Sequence, residues 1–405
     1  MKKNSSLKIA LIASMLVWLV FIGLAWAQNQ PFEDQSRQSP YASDRILVKF
    51  KPLTHESMKA FLHQWHGGEV IDAIPGIDVH VVQIPEKKIR EKLRAYLREP
   101  WIEYAEPDFV AHAFLEPNDP GFESQWGPIR IHAPEAWDIT TASPEVRIAV
   151  CDTGIDQNHA DLVGKIVANK NFTSSRSIDD KFGHGTHVAG IAAAVSNNGR
   201  GVAGVGFSSS LMNVKVLGDN GSGYYSWVAK GITWAADHGA KVINLSLGGP
   251  AGSGTLQNAV NYAWSKGCVI VAAAGNDGNG NPSYPAYYDN CIAVAATDPN
   301  DSKATFSNHG FWVDVAAPGV DIYSTLPNHK NQMGPRNYGT LSGTSMAAPH
   351  VAGVAALVWA TDFGTSNNAV RERIETTGDE LEGTLSSDGI GRVNAYLAVG
   401  GTPLP

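Results

Sequence analysis

The chain has 405 residues, 43% of them hydrophobic and 17% charged, enough apolar material for one large core and a smaller second unit, so disorder is excluded as the default. Its net charge of -8 offers no basic stripe to neutralise phosphates, which excludes nucleic acid as a partner. Forty-one glycines point instead to tight turns and close backbone approaches, as where loops are shaped around a ligand.

At the N-terminus Lys2, Lys3 and Lys8 precede an apolar run from Ile9 to Leu24 and then Ala25, Trp26 and Ala27. This is the pattern of an export signal over residues 1–27, with cleavage expected after Ala27. The run is shorter than the ~20 residues a bilayer span needs, so a secreted product without stable membrane association is expected. Residues 28–43, rich in Gln, Ser, Asp and Pro, read as a flexible lead-in.

A compact unit is expected over 44–115. The pattern predicts a strand over Arg45–Phe50, a helix over Glu56–Trp65, a strand over Val79–Ile84, a charged amphipathic helix over Glu86–Arg98 and a strand over Ile102–Val110. That order suggests a small α+β sandwich of about 70 residues, near the lower limit for a self-sufficient core.

From 116 to 405, strand-like runs alternate with helical stretches. Val146–Cys151, Leu211–Leu217, Val242–Leu247, Cys268–Ala274 and Ile292–Ala296 are short, β-branched and nearly unbroken by polar residues. Strands of that kind are buried on both faces, which implies a parallel sheet covered by helices in an α/β fold. Ligands bind such sheets beyond the carboxyl ends of the strands. Cys151, Cys268 and Cys291 are too few for a disulfide framework and lack metal-ligand spacing.

Chemistry-bearing residues fall at those strand ends. Asp152 follows the run Val146–Cys151 and opens a Thr-Gly turn. Standing alone it would be a turn-capping acid. His184 lies in GHGTHVAG, at a glycine-bracketed helix start whose partial positive charge favours the neutral imidazole a general base needs. A zinc pair with His187 lacks the intervening acid of HExxH. Ser345 lies in LSGTSMAAPHVAGVAALVWA, a turn running into an apolar helix. A serine there is commonly a cap, and the pattern is not GxSxG, which counts against an α/β-hydrolase. Asn276 ends VIVAAAGN, where a buried strand finishes in Gly and an amide able to donate to a developing oxyanion.

Together these residues resemble the subtilisin-like serine peptidases, through AVCDTGID around Asp152, GHGTHVAG around His184, NLSLGGP over Asn244–Pro250, AAAGN up to Asn276 and GTSMAAPHVAG around Ser345. The resemblance covers nearly all of 116–400. It implies a three-layer α/β/α domain with a mainly parallel central sheet, preceded by a small ferredoxin-like α+β propeptide. Residues up to the phrase IEYAEPD look like that inhibitory propeptide. The implied roles are Ser345 as nucleophile, His184 as proton carrier, Asp152 as its orienting anion, and Asn276 with the Ser345 N–H as oxyanion donors. The resemblance also implies two edges holding an extended polypeptide substrate, Gly221, Ser222 and Gly223 facing Ser246, Leu247 and Gly248. Ala273 and Gly275 would line the first specificity pocket, Tyr225 a second apolar one. Calcium is implied at Asp119 and Asp161, with the Asn198 side chain and the carbonyls of Val195, Arg200 and Val202. A second family site is poorly matched, since Asn171–Asp180 lacks carboxylates until Asp179, and a weak third would lie near Ala286, Tyr288 and Asp314. Cys268 and Cys291 begin runs that the resemblance places side by side. Register and side-chain direction decide whether they can bridge.

A catalytically silent relative would lack a triad member or the amide, and none is missing. An esterase would share the nucleophilic chemistry, but paired peptide-binding edges argue against it. The expectation is therefore a secreted monomeric endopeptidase, held by its own propeptide as intramolecular inhibitor until processing, and preferring apolar or aromatic residues before the scissile bond.

Overall fold

The computed structural model describes residues 41–110 and 115–402. The expected export signal over 1–27 and most of the expected lead-in lie outside the described residues. The chain divides into two units between Val110 and Ala111. Among the described residues no helix is long and apolar enough to cross a membrane.

The first unit runs β1 (Tyr41–Phe50), α1 (Glu56–Trp65), β2 (Glu69–Ile74), β3 (Val79–Gln83), α2 (Ile89–Tyr96) and β4 (Ile102–Phe109). Its sheet order is β2-β3-β1-β4 with antiparallel neighbours, the ferredoxin-like arrangement. Alternation along β1 sends Ile46, Val48 and Phe50 into a core shared with Leu62, Val82, Ile89 and Tyr96. Sequence reading missed β2. All six of its residues are exposed at the sheet edge, so EVIDAI carries no one-sided apolar pattern.

The second unit begins with two short helices, α3 (Trp126–Arg130) and α4 (Ala133–Trp137), then β5 (Arg147–Asp152), β6 (Ile166–Asn171) and α5 (His184–Ala193). It continues through β7 (Ser210–Lys215), α6 (Tyr225–Asp237), β8 (Ala240–Leu245), α7 (Gly254–Ser265), β9 (Val269–Ala273), β10 (Ile292–Thr297) and β11 (Val315–Pro318). A hairpin of β12 (Ile322–Leu326) and β13 (Asn337–Leu341) leads into α8 (Thr344–Trp359) and then α9 (Asn367–Thr376). The central sheet has seven strands, all paired in parallel, in the order β11-β10-β9-β8-β5-β7-β6. β5 and β8 are therefore neighbours whose connections run to opposite sides of the sheet, a switch point that opens a crevice at their carboxyl ends.

Helices α5 and α8 cover one face of the sheet, and α6 and α7 the other. Helix α8 is apolar on every side because it runs through the core, where Val351, Val354, Leu357 and Val358 are fully buried. Burying each such side chain stabilises the fold by about 1.5–3 kcal/mol, so the start of this helix is firmly placed.

All three cysteines are free and buried. The β9–β10 register pairs Ile292 with Val271, which sets Cys291 level with Ile270 rather than Cys268. Two residues of offset at ~3.3 Å each, across a ~4.8 Å strand spacing, put the Cα atoms roughly 8 Å apart, beyond disulfide reach. Burial pushes the Cys268 thiol up to about 11, and it donates instead to the Ala240 carbonyl at 3.1 Å.

Candidate active site

Asp152 closes β5 at the switch point and is fully buried. Its Oδ1 accepts the Thr153 N–H at 2.7 Å and the His184 Nδ1–H at 2.8 Å. His184 is the first residue of α5, and Gly183 before it has φ 115°, a conformation that strains any residue with a Cβ. Gly185 lets the helix meet the strand end: a Cβ there would stand 2.2 Å from the Gly154 carbonyl and 3.0 Å from Asp152 Cβ.

Burial alone would lower the His184 pKa. The Asp152 charge and hydrogen bond, with a further pull from Asp180, outweigh it, and the net direction is upward. The direction is opposite to the one expected from the helix start, and it comes from the carboxylates of Asp152 and Asp180.

Ser345 is the second residue of α8 and half-buried. Its Oγ donates to the Ser246 carbonyl at 3.2 Å, and Ser246 Oγ donates back to the Ser345 carbonyl at 2.8 Å. Asn276 is exposed just beyond β9. Its Oδ1 accepts both the Thr344 N–H and the Thr344 hydroxyl at 2.9 Å, which leaves Nδ2 beside the residues that precede Ser345.

A cleft of about 340 Å³ is lined by Gly221, Ser222, Gly223 and Tyr225 from one segment and by Ser246, Leu247 and Gly248 from the other. Thr153, Phe182 and His184 share its wall. The Tyr225 hydroxyl donates to the Ala251 carbonyl at 3.0 Å. Ala273 and Gly275 lie outside this lining, at the end of β9, where the Gly275 N–H reaches Thr344 Oγ1 at 3.1 Å.

Residues 143–392 match the model of the Subtilase family. The chain belongs to that family. It is a serine endopeptidase with an N-terminal prodomain, since residues 27–108 match the Fervidolysin N-terminal prodomain. Thermitase of Thermoactinomyces vulgaris is 55% identical over 285 residues, 70% of this chain and 99% of that protein. The thermophilic serine proteinase of Bacillus sp. strain AK1 is 42% identical over 361 residues, 89% of this chain and 88% of its own. Among solved structures, a protease from Pseudoalteromonas arctica superposes with a TM-score of 0.64 at 36% identity, covering 70% of this chain and 98% of that one.

In this subtilase the loop after α5 wraps two buried carboxylates. Asp161 Oδ2 accepts the Val202 N–H at 2.8 Å, Asp161 Oδ1 accepts Asn198 Nδ2 at 3.0 Å, and the Asp161 carbonyl accepts the Val195 N–H at 2.7 Å. Asp119 accepts the N–H groups of Asn197 and Asn198 at 2.5 and 3.0 Å, and Asn198 Oδ1 accepts that of Arg200. Among the described residues neither carboxylate is paired with Lys or Arg. The groups that meet these two buried carboxylates are N–H donors, and Asn198 presents Nδ2 to Asp161 while its Oδ1 accepts from Arg200, so the carboxylate pair itself is the part of the arrangement that suits a hard cation.

The two further positions where the resemblance implied calcium look different. Asn171, Thr173, Ser175 and Ser177 satisfy their own loop by successive local hydrogen bonds. Asp314, pushed up to about 6 by burial, already accepts from Arg371 at 2.9 Å and from the Ala293 N–H at 2.7 Å, so a cation there would compete with a fixed guanidinium.

His187 is no metal partner for His184. It is fully buried, its Nε2 meets the Gly339 carbonyl at 3.1 Å, and burial lowers its pKa to about 3. Sequence reasoning passed over Thr153, Asp180 and Phe182, all beside Asp152 or His184. It also passed over the β12–β13 loop, whose Gln332 N–H donates to the Phe182 carbonyl at 2.8 Å and whose His329 pairs with Asp179 at 2.8 Å.

Proposed function

We propose that Ser345, His184 and Asp152 carry out peptide hydrolysis through an acyl-enzyme. Ser345 Oγ attacks the scissile carbonyl while His184 Nε2 takes its proton, and Asp152 holds Nδ1–H and stabilises the imidazolium. The Asn276 amide and the Ser345 N–H stabilise the oxyanion. His184 then returns the proton to the departing amine, and water repeats the sequence on the ester. The observation that carries this reading is the 2.8 Å His184–Asp152 bond, opening on a cleft whose Ser246 wall is tied reciprocally to Ser345.

The substrate lies extended between 221–223 and 246–248, paired through its main chain, so specificity is broad. Small residues at Ala273 and Gly275 leave room for an apolar or aromatic side chain before the scissile bond. One calcium ion would be held by Asp119, Asp161, the Asn198 side chain and the carbonyls of Val195, Arg200 and Val202. Its contribution would be fixed positive charge that pins the loop, not chemistry. The protein is exported by residues 1–27, works as a secreted monomer and is held inactive by its own prodomain until it cleaves itself. A fluorophosphonate probe, followed by peptide mass spectrometry, tests the reading: the label belongs on Ser345, and Ser345→Ala should accumulate as the uncleaved precursor. Labelling elsewhere, or normal processing of Ser345→Ala, would remove it.

A further inference from the structure

Asp180 stands four residues before His184 and is fully buried. Its Oδ1 accepts from the Thr153 hydroxyl at 2.8 Å, the Gly183 N–H at 2.8 Å and the Phe182 N–H at 3.1 Å. Its Oδ2 accepts from the Thr186 N–H at 2.9 Å and the Thr186 hydroxyl at 2.7 Å. Burial pushes the Asp180 pKa upward and the hydrogen bonds from Gly183, Thr186 and Thr153 pull it back; every partner donates, which is the pattern of an ionised carboxylate, and none is a cationic side chain. Placing an anion in the interior without a counter-charge is expensive even when it is well hydrogen-bonded. A neutral acceptor would cap the helix at less cost.

The donors belong to two elements. Thr153 follows Asp152 at the end of β5, while Gly183 and Thr186 flank His184 at the start of α5. Thr153 Oγ1 also accepts the Gly185 N–H at 2.9 Å. The Asp180–Thr153–Gly185 relay therefore fixes the strand end against the helix start, the separation that sets the Asp152–His184 bond. Asp180 also acts on His184 through its charge, pulling the imidazole pKa upward alongside Asp152. Other charged or titratable groups nearby are His187 on α5, Asp179 and Lys181 on the same loop, and Lys215 on β7, whose Nζ reaches the Thr153 carbonyl and pairs with Asp219 at 3.0 Å.

We propose that Asp180 is a positioning residue for hydrolysis, holding His184 in line with Asp152 through Thr153 and lending a second negative charge to the imidazolium. The inference rests on the triad reading above. That reading is tested separately by the labelling of Ser345, whatever Asp180 does.

The test is Asp180→Asn in the full-length chain, matured and assayed on a chromogenic peptide across pH, with thermal unfolding measured in parallel. The amide keeps an acceptor for Thr153 and Gly183 but loses the charge. Expected are a fall in kcat of about tenfold or more with KM within about twofold, and an acid limb of kcat/KM displaced to lower pH by about half a unit. A lower melting temperature with kcat and the acid limb unmoved would reduce Asp180 to a helix cap and overturn the proposal. Should Asp180→Asn fail to fold, Thr153→Val and Thr153→Ser carry the test. A several-fold loss of kcat in the first, restored in the second, supports the relay, and wild-type kcat in Thr153→Val refutes it.

Discussion

The prodomain should lose its stability in mild acid, because of His63. This imidazole is 4% exposed, bonded through Nδ1 to the Tyr96 hydroxyl at 3.0 Å and through Nε2 to His80 Nδ1 at 2.9 Å, with the Phe50 ring edge-on to it. Burial, followed by the nearby charges of His80, His66 and Lys59, lowers its pKa from 6.5 to about 4. The folded value lies below the unfolded one. Neutral His63 therefore contributes its full stability above about pH 6.5, and that contribution is lost as pH falls towards the folded value. At pH 4.5 the loss is about 2–3 kcal/mol. A unit of ~70 residues has only about 4–10 kcal/mol of stability in total, so the loss is a large fraction. The assay is hydrogen exchange of peptides from 41–110 in full-length Ser345→Ala, expected on the proposed mechanism to stay uncleaved, between about pH 7 and 4.5 with correction for intrinsic rates. Protection of β1, β3 and α1 should fall by roughly 30- to 150-fold, and His63→Gln should flatten the dependence. Protection unchanged within about threefold across that range would refute the reasoning.

Asn276→Ala should reduce kcat by about a hundred- to a thousandfold with little change in KM, read from steady-state kinetics on a peptide amide. Chelation of the mature enzyme should lower its melting temperature and expose the 195–202 loop to cleavage, and Asp161→Asn should show the same loss without chelator. Thiol titration of the denatured, unreduced mature protein should find three reactive groups, because the strand register keeps Cys268 and Cys291 apart. A single thiol would contradict that register.

The strand ends were legible in the sequence because burial on both faces leaves a plain mark. The run Ile148–Cys151 contains no polar residue, so the acid that follows it must sit where the sheet stops. Helix α1 was legible to its ends for a similar reason, its apolar positions recurring at helical spacing from Met58 to Leu62 and Trp65. Elements with mixed or solvent-facing surfaces left no such mark. β6 alternates at the sheet edge and β13 is mostly solvent-facing, whereas β11 is buried throughout and escaped notice because it is only four residues ending in proline. Asp180 was illegible for the opposite reason: in a loop of serines and aspartates it reads as solvated, and only the three-dimensional closure of that loop on Thr153 and Thr186 buries it. The upward direction of the His184 shift comes first from Asp152, with Asp180 adding to it.

An endopeptidase works in a solution of its own active copies, and the two units offer those copies very different targets. An attacked segment must first be drawn out as an extended strand. Releasing α8 would require opening the core that surrounds it on every side, so no local fluctuation presents Ser345 and its neighbours for cleavage. Strand β2 is already extended, with all six residues exposed and one edge unpaired within its sheet. Self-digestion in a concentrated preparation should therefore consume the prodomain long before it reaches the catalytic unit, making the conversion to free enzyme effectively one-way.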